Sequence, residues 1–379
     1  MKMKKFNVNI EVYFGEDSLS KLSEITDKKV FIVTDSFMEK SGVANKISKR
    51  LNNCKVSIFS EIVPDPSIEI VTKGVDIILK EKPEVIIAIG GGSAIDAAKA
   101  IVHFARKVGN LSNVQFIAIP TTSGTGSEVT SFSVITDNEK GVKYPLVSDD
   151  LLPDIAILDA ELVKTAPDFI TADTGMDVIT HGLEAYVSKN STDFSDALAE
   201  KALVLAFEYL PKVFKNGQDL IAREKMHTAS CLAGIAFNQA SLGINHSIAH
   251  VLGGKFHIPH GRTNAILLPY VIDYNADIVG YDTRDFTLAA NKYCHIAKLI
   301  GLPANNIRMG VKNLISEIKQ MQKTMKLPVT LKAAGVDLDK LKLLKDEIAG
   351  IAMEDVCTIS NPKAPTKEDV LRILERVRG

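Results

Sequence analysis

Four of the chain's eight histidines, His246, His250, His257 and His260, fall within the stretch NHSIAHVLGGKFHIPHG. Imidazoles gathered in this way can ligate a metal, move a proton, or do neither. His246 and His250 are four apart, so on a helix they share one face about a turn apart. A lone HxxxH is more often an ordinary partly buried pair than a ligand pair, and the HExxH of metalloproteases is not what stands here. A second pair changes the reading. In TGMDVITHGLEAYVS, Asp177 and His181 have the same spacing on another expected helix. A carboxylate with several imidazoles and no thiolate is a donor set for divalent iron or zinc. A catalytic ion keeps one position open, so Asp177, His181 and two of the downstream histidines suffice. Spacing does not choose among His246, His250, His257 and His260. His103, His227 and His295 lie on amphipathic segments and read as ordinary polar or core residues.

A second set of residues could hold phosphate. IAIGGGSAIDAAKA sends an expected strand through Gly90, Gly91, Gly92 and Ser93 into a helix, which brings bare N–H groups and the positive end of a helix dipole to one point. GGGS also occurs as a plain tight turn, so alone it is a weak signal. PTTSGTGSEVT, after VQFIAI, adds hydroxyls from Thr121, Thr122, Ser123 and Thr125 at the end of another strand, where open α/β sheets bind ligands. Asp35 closes VFIVTD. Its carboxylate could accept from the adenosine ribose and repel a 2′-phosphate, favouring NAD over NADP, or it could simply cap the next helix.

These residues need a frame. The 379 residues suit two domains. Until about residue 160, runs that are apolar on both faces (KVFIVTD, CKVSIFSEIV, PEVIIAIGGG, VQFIAIPTT) alternate with amphipathic segments, as in a parallel sheet covered by helices. Beyond it, segments such as DALAEKALVLAFEYLPKVF and KEDVLRILERVRG carry helical stripes only. We expect a nucleotide-binding α/β domain over residues 1–163 and an all-α domain over 164–379. A net charge of −1 with 24% charged residues gives no footprint for nucleic acid or an anionic membrane. No run of about 18 apolar residues suggests a membrane span, and the start MKMKKFNVNIEVYFG does not resemble a signal peptide. The scattered Cys54, Cys231, Cys294 and Cys357 read as reduced thiols of a cytoplasmic protein.

Together, GGGSAIDAAKA, PTTSGTGSEVT, GMDVITHGLEAY, NHSIAHVLGGKFHIPHGRTNAILLPYVIDYN and NPKAPTKEDVLRIL resemble the iron-containing (group III) alcohol dehydrogenase family over nearly the whole chain, most of all its short propanol dehydrogenase branch. The resemblance implies a Rossmann-like N-terminal domain, a helical C-terminal domain and an active site in the cleft between them. By motif, the metal ligands fall on Asp177, His181, His246 and His260, and His250 matches a non-ligand histidine near the nicotinamide. Dinucleotide contacts fall on Asp35, Gly91, Gly92, Ser93, Thr121, Thr122 and Thr125, and on Lys143 near the nicotinamide end. Asp65 stands where the family often has Asn, and His257 is an extra imidazole with a bland expected role.

The implied activity is hydride transfer between a small primary alcohol and NAD, the alcohol oxygen being bound to Fe2+, with Zn2+ or another divalent metal as substitute. A bound cation lowers the pKa of such an oxygen, as it lowers that of water from 15.7 to about 7. A polyol or diol dehydrogenase of the same fold is the alternative, and a non-redox metal-dependent lyase or hydrolase a more distant one. The expected assembly is a homodimer or higher homo-oligomer.

Overall fold

The computed structural model describes residues 3, 5–109, 113–139, 142–280 and 285–379. The chain divides into two compact units, Met1–Ala166 with Gln218–Gly234, and Pro167–Gly217 with Ile235–Gly379. The expected boundary after residue 163 did not anticipate that 218–234 would pack with the first unit.

In the first unit the elements run β1 (Glu11–Phe14), β2 (Lys29–Asp35), α1 (Ser36–Lys40), α2 (Val43–Ser48), β3 (Lys55–Ile62), α3 (Ile68–Glu81), β4 (Val85–Gly90), α4 (Gly92–Gly109), β5 (Gln115–Pro120), β6 (Phe132–Asp137), β7 (Val142–Val147), β8 (Ile155–Leu158) and α5 (Ala160–Val163). Six strands form a parallel sheet in the order β1-β8-β5-β4-β2-β3, and β6 and β7 form an antiparallel hairpin. Strand parity sorts the core. Ile86 and Ala88 of β4 join Phe31, Phe116 and residues of α3 and α4 on one face; Val85, Ile87 and Ile89 join Ile32, Ile117 and Ile157 on the other. At β2, β4 and β5 both faces are covered, which is why these three strands read as unbroken apolar runs. Ile87 is wholly buried, and replacing it by Ala should cost about 2–5 kcal/mol.

This order places a switch point between β2 and β4. From β2 the chain steps outward to β3, then returns to β4 on the other side and continues to β5. Ligands of open α/β sheets lodge beyond the carboxyl ends of such a pair. Asp35 and Gly90 are the residues that end these two strands.

In the second unit, helices follow one another: α6 (Asp168–Val187), α7 (Asp193–Lys215), the last residues of α8 (Leu220–Ala240), α9 (Ile244–Phe256), α10 (His260–Ala276), α11 (Leu288–Leu299), α12 (Ile307–Thr324), α13 (Leu338–Glu354) and α14 (Lys367–Val377). From Thr171 onward α6 is buried nearly all round, so it forms the central rod of this unit. Among the described residues no helix is long and apolar enough to cross a membrane.

Candidate metal centre and cofactor cradle

Asp173, Asp177, His181 and Glu184 are spaced by four, four and three along α6, and thus share one face of a buried helix. Buried polar groups need partners. Arg262 meets Asp173 bidentately, its Nε 3.1 Å from Oδ1 and Nη2 2.9 Å from Oδ2. The other three face α9 and the start of α10.

α10 begins at His260, directly after Pro259, and its first turn lies against α6. A Cβ on Gly261 would stand 2.1 Å from the carbonyl oxygen of Asp173, so only glycine permits this approach. The approach brings His260 Nε2 to 3.7 Å from Asp177 Oδ1. His246 Nε2, from α9, lies 3.8 Å from the same oxygen, and His181 Nε2 is 4.0 Å from Asp177 Oδ2. The donor atoms of Asp177, His181, His246 and His260 all lie within 4.8 Å of one another. The His181 and His246 rings stack at 4.7 Å, and Phe237 covers His181 at 4.6 Å. The side chains of Asp177, His181 and His246 are at most 5% exposed, that of His260 40%, so the group opens on the His260 side.

The fit to a cation can be read from Asn264. Its Nδ2 stands 2.7 Å from Asp177 Oδ1, 3.0 Å from His246 Nε2 and 3.1 Å from His260 Nε2. An ionised carboxylate only accepts, so the atom facing Asp177 is the amide nitrogen, and the two imidazoles turn lone pairs toward the same place. Three lone pairs from an O/N donor set converging on one point suit divalent iron or zinc. Burial, reinforced by the charges His181, His260 and His250 would carry, holds His246 well below the usual imidazole range.

His250 sits one turn after His246, in ring contact with His246 and His260 at 6.0 and 5.4 Å, but outside the group of four. Its Nδ1 is 2.9 Å from Asp355 Oδ2. Burial alone would raise the Asp355 carboxyl, but its contact with His250 and the N–H of Cys357 bring it down to about 2. Asp355 is therefore an acceptor and His250 Nδ1 carries a proton toward it, so that in the neutral ring the lone pair lies on Nε2. His257 ends α9 in a left-handed conformation (φ 55°), is exposed, and lies outside the group.

In the first unit the two glycine-rich turns face each other. Gly90 has φ +147°, and a Cβ there would meet the Ala94 Cβ at 2.7 Å, so the chain can enter α4 only through glycine. The place of a Cβ on Gly91 is 3.4 Å from Thr122 Oγ1, and that of one on Gly92 is 2.7 Å from Thr125 Cγ2. Thr121 N donates to Gly90 O at 2.9 Å. Gly92 and Ser93, in the first turn of α4, have N–H groups that its ladder cannot satisfy. Asp35 Oδ1 caps α1, accepting from Phe37 N at 2.8 Å and Met38 N at 2.9 Å, while Oδ2 faces Gly90. Ser123 Oγ lies 2.9 Å from His227 Nδ1. His227 is buried, and that burial holds it at about 4, hence neutral. Lys143 pairs through β7 with Thr136, and its side chain lies outside the described residues. Asp65 takes φ +57°, a conformation Asp and Asn both tolerate.

Glu184, Asn264, Asp355 and the Ser123–His227 contact were not anticipated from the sequence. Glu184 alone left a signal, since it continues the spacing of Asp177 and His181 along an otherwise apolar helix.

Comparison with known proteins agrees with this arrangement. Residues 9–160 match the family model for iron-containing alcohol dehydrogenase, and residues 171–377 match that for the C-terminal part of the Fe-containing alcohol dehydrogenase family. A 1-propanol dehydrogenase of Citrobacter freundii is 45% identical over 378 residues, spanning 99% of this chain and 100% of that protein. An NADPH-dependent butanol dehydrogenase of Clostridium saccharobutylicum is 40% identical over 392 residues, spanning 99% and 98%. Among solved structures, 1,3-propanediol oxidoreductase matches with a TM-score of 0.89 at 32% identity, covering 99% of this chain and 100% of that one. The chain belongs to the iron-containing alcohol dehydrogenase family, in its propanol dehydrogenase branch, and is an alcohol dehydrogenase.

Proposed function

From that membership we propose that the enzyme interconverts a small straight-chain primary alcohol and its aldehyde, with NAD as the hydride carrier. Asp177, His181, His246 and His260 would hold a divalent metal, Fe2+ in the first instance with Zn2+ as substitute. The observation that carries the reading is the convergence of these four donors beside a histidine whose tautomer is set by Asp355. When bound, the metal polarises the substrate oxygen and the nicotinamide takes the hydride.

The chain's own residues do the rest. His250 Nε2 accepts the hydroxyl proton in alcohol oxidation and returns it in aldehyde reduction, and Asp355 keeps that nitrogen free by holding the proton of Nδ1. The His250 side chain is 31% exposed, so the proton can pass on to water. Gly91, Gly92 and Ser93 offer N–H groups, and Thr121, Thr122 and Thr125 hydroxyls, to the pyrophosphate. Asp35 turns Oδ2 to the ribose. The free cysteines fit a cytoplasmic enzyme, which we expect to act as a homodimer or higher homo-oligomer on a free small molecule.

The test is an anaerobic assay of protein loaded with iron or zinc, following reduced nicotinamide against straight-chain alcohols, 1,3-propanediol and glycerol. Highest kcat/KM on 1-propanol or 1-butanol is expected. A preference for the diol or glycerol would shift the assignment to a polyol dehydrogenase, and no nicotinamide signal with any of them would sink the proposal.

A further inference from the structure

Three of the four donors, Asp177, His246 and His260, have buried partners that no ligand role accounts for. Glu184 is buried, one turn beyond His181 on α6, and its two oxygens serve α9 separately. Oε1 accepts from Asn245 N at 2.8 Å, and Oε2 is hydrogen-bonded to His246 Nδ1. Asn245 in turn sends Nδ2 to Asn264 Oδ1 at 2.9 Å, and Asn264 sends its own Nδ2 to Asp177 and His246. A closed ring of buried polar groups results, running Glu184, Asn245, Asn264, His246 and back to Glu184.

The ring fixes a tautomer. Asp177 accepts only, so it orients the Asn264 amide with nitrogen toward the donors. That nitrogen donates only, so His246 Nε2 must present a lone pair to it. The single proton of the neutral imidazole then sits on Nδ1, toward Glu184 Oε2. Burial pushes that carboxyl up to about 8, against the downward pull of the backbone N–H groups at the start of α9. Oε1 and Asn361 Oδ1, 3.1 Å from Ile244 N, also take the first N–H groups of α9, whose own N-cap Gly243 has no side chain to offer. The carboxylate therefore sets both the axial position of the helix that carries His246 and His250 and the ring nitrogen that faces the metal.

We infer that Glu184 is a positioning residue for the metal, which holds His246 in the Nδ1–H form so that Nε2 is always the ligating atom. The inference rests on the metal reading above. Glu184→Gln separates it from a purely structural role. Its amide oxygen can still accept from Asn245 N–H, but its NH2 then faces His246 Nδ1 and drives the ring proton onto Nε2. If the amide turns over, the Asn245 N–H loses its acceptor.

The experiment measures metal affinity by chelator competition for both proteins, together with thermal unfolding of their metal-free forms. We expect affinity to fall by about 10 to 100-fold, the range for losing a hydrogen-bond partner of a ligand, with metal-free melting points within a few degrees. Equal affinity, or an affinity loss matched by a collapse of metal-free stability, overturns the role. A second measurement needs no variant. Ring 15N shifts of selectively labelled histidine in the metal-free parent should place the His246 proton on Nδ1, and a proton on Nε2 overturns the inference. If the parent itself binds no divalent metal, it is the functional reading that fails; if the parent binds and the Gln variant binds equally, only this inference does.

Discussion

At the ends of β2, β4 and β5 the groups gathered together are backbone N–H, small hydroxyls and bare Cα positions, drawn from turns whose shape glycine permits. Around α6, α9 and α10 they are a carboxylate and imidazoles, with Asp177 hydrogen-bonded to the buried Asn264 and His246 to the buried Glu184. The first arrangement presents a surface to which many atoms each contribute a little. The second presents one point to which four atoms contribute nearly everything. Losing one member should therefore be graded in the first and close to all-or-none in the second.

Removing a ligand gives the largest expected effect. His260→Ala deletes the most exposed of the four donors, so the fold should survive while bound metal drops by more than the 10 to 100-fold typical of losing an indirect partner, and turnover disappears. Elemental analysis showing full metal in folded His260→Ala protein would remove His260 from the set.

An intermediate effect is expected at His250, which adjoins the donors without joining them. His250→Asn should keep metal and NAD binding and lower kcat by about 10² to 10⁴, the contribution of a positioned acid–base group. Added imidazole should restore part of the rate. Should the metal leave with the side chain, His250 is itself a ligand; should only NAD affinity fall, it merely packs against the cofactor.

The same contrast explains what could be read in the sequence. β2, β4 and β5 were legible because burial on both faces leaves an unbroken apolar run, and β3, at the sheet edge, through its β-branched and aromatic residues although only Phe59 and Ile62 are buried. β8, with only IAIL, and the β6–β7 hairpin were not, since a run of four apolar residues carries too little periodicity to separate it from its surroundings. Asp177, His181, His246 and His250 show in the sequence because helical spacing places pairs on a shared face. Selecting His260 over His257 needed the family resemblance from the sequence alone; in the structure it depends on the approach of Gly261 to α6, a tertiary contact. Glu184 shows only as a continuation of the spacing along α6, and Asn264 and Asp355 are further from legible still; the meaning of all three lies in partners 62, 87 and 105 residues away in the chain. The 218–234 segment reads as one more amphipathic helix, and nothing local reveals that it belongs with the sheet.

The smallest expected effect lies at Asp35, where one side chain has two possible tasks. Oδ1 already accepts two N–H groups at the start of α1, and a cap of this kind is worth about 0.5–2 kcal/mol. Oδ2 faces Gly90 at the switch point, where the ribose of a bound dinucleotide would lie. Truncating the residue would confuse the two tasks. Asp35→Asn does not, because its amide oxygen can keep the cap while the negative charge is gone. If the charge excludes the 2′-phosphate, the ratio of kcat/KM for NADP to that for NAD should rise by about tenfold, equivalent to about 1.4 kcal/mol of relieved repulsion. Metal content should not change, and the melting point should shift little. A cradle assembled from many weak contacts predicts this modest, cofactor-specific response, in contrast to the loss of function at His260. An unchanged ratio with unchanged stability would leave Asp35 as a cap for α1 alone, and discrimination between the two nucleotides would then have to come from another residue at the ends of β2 and β4.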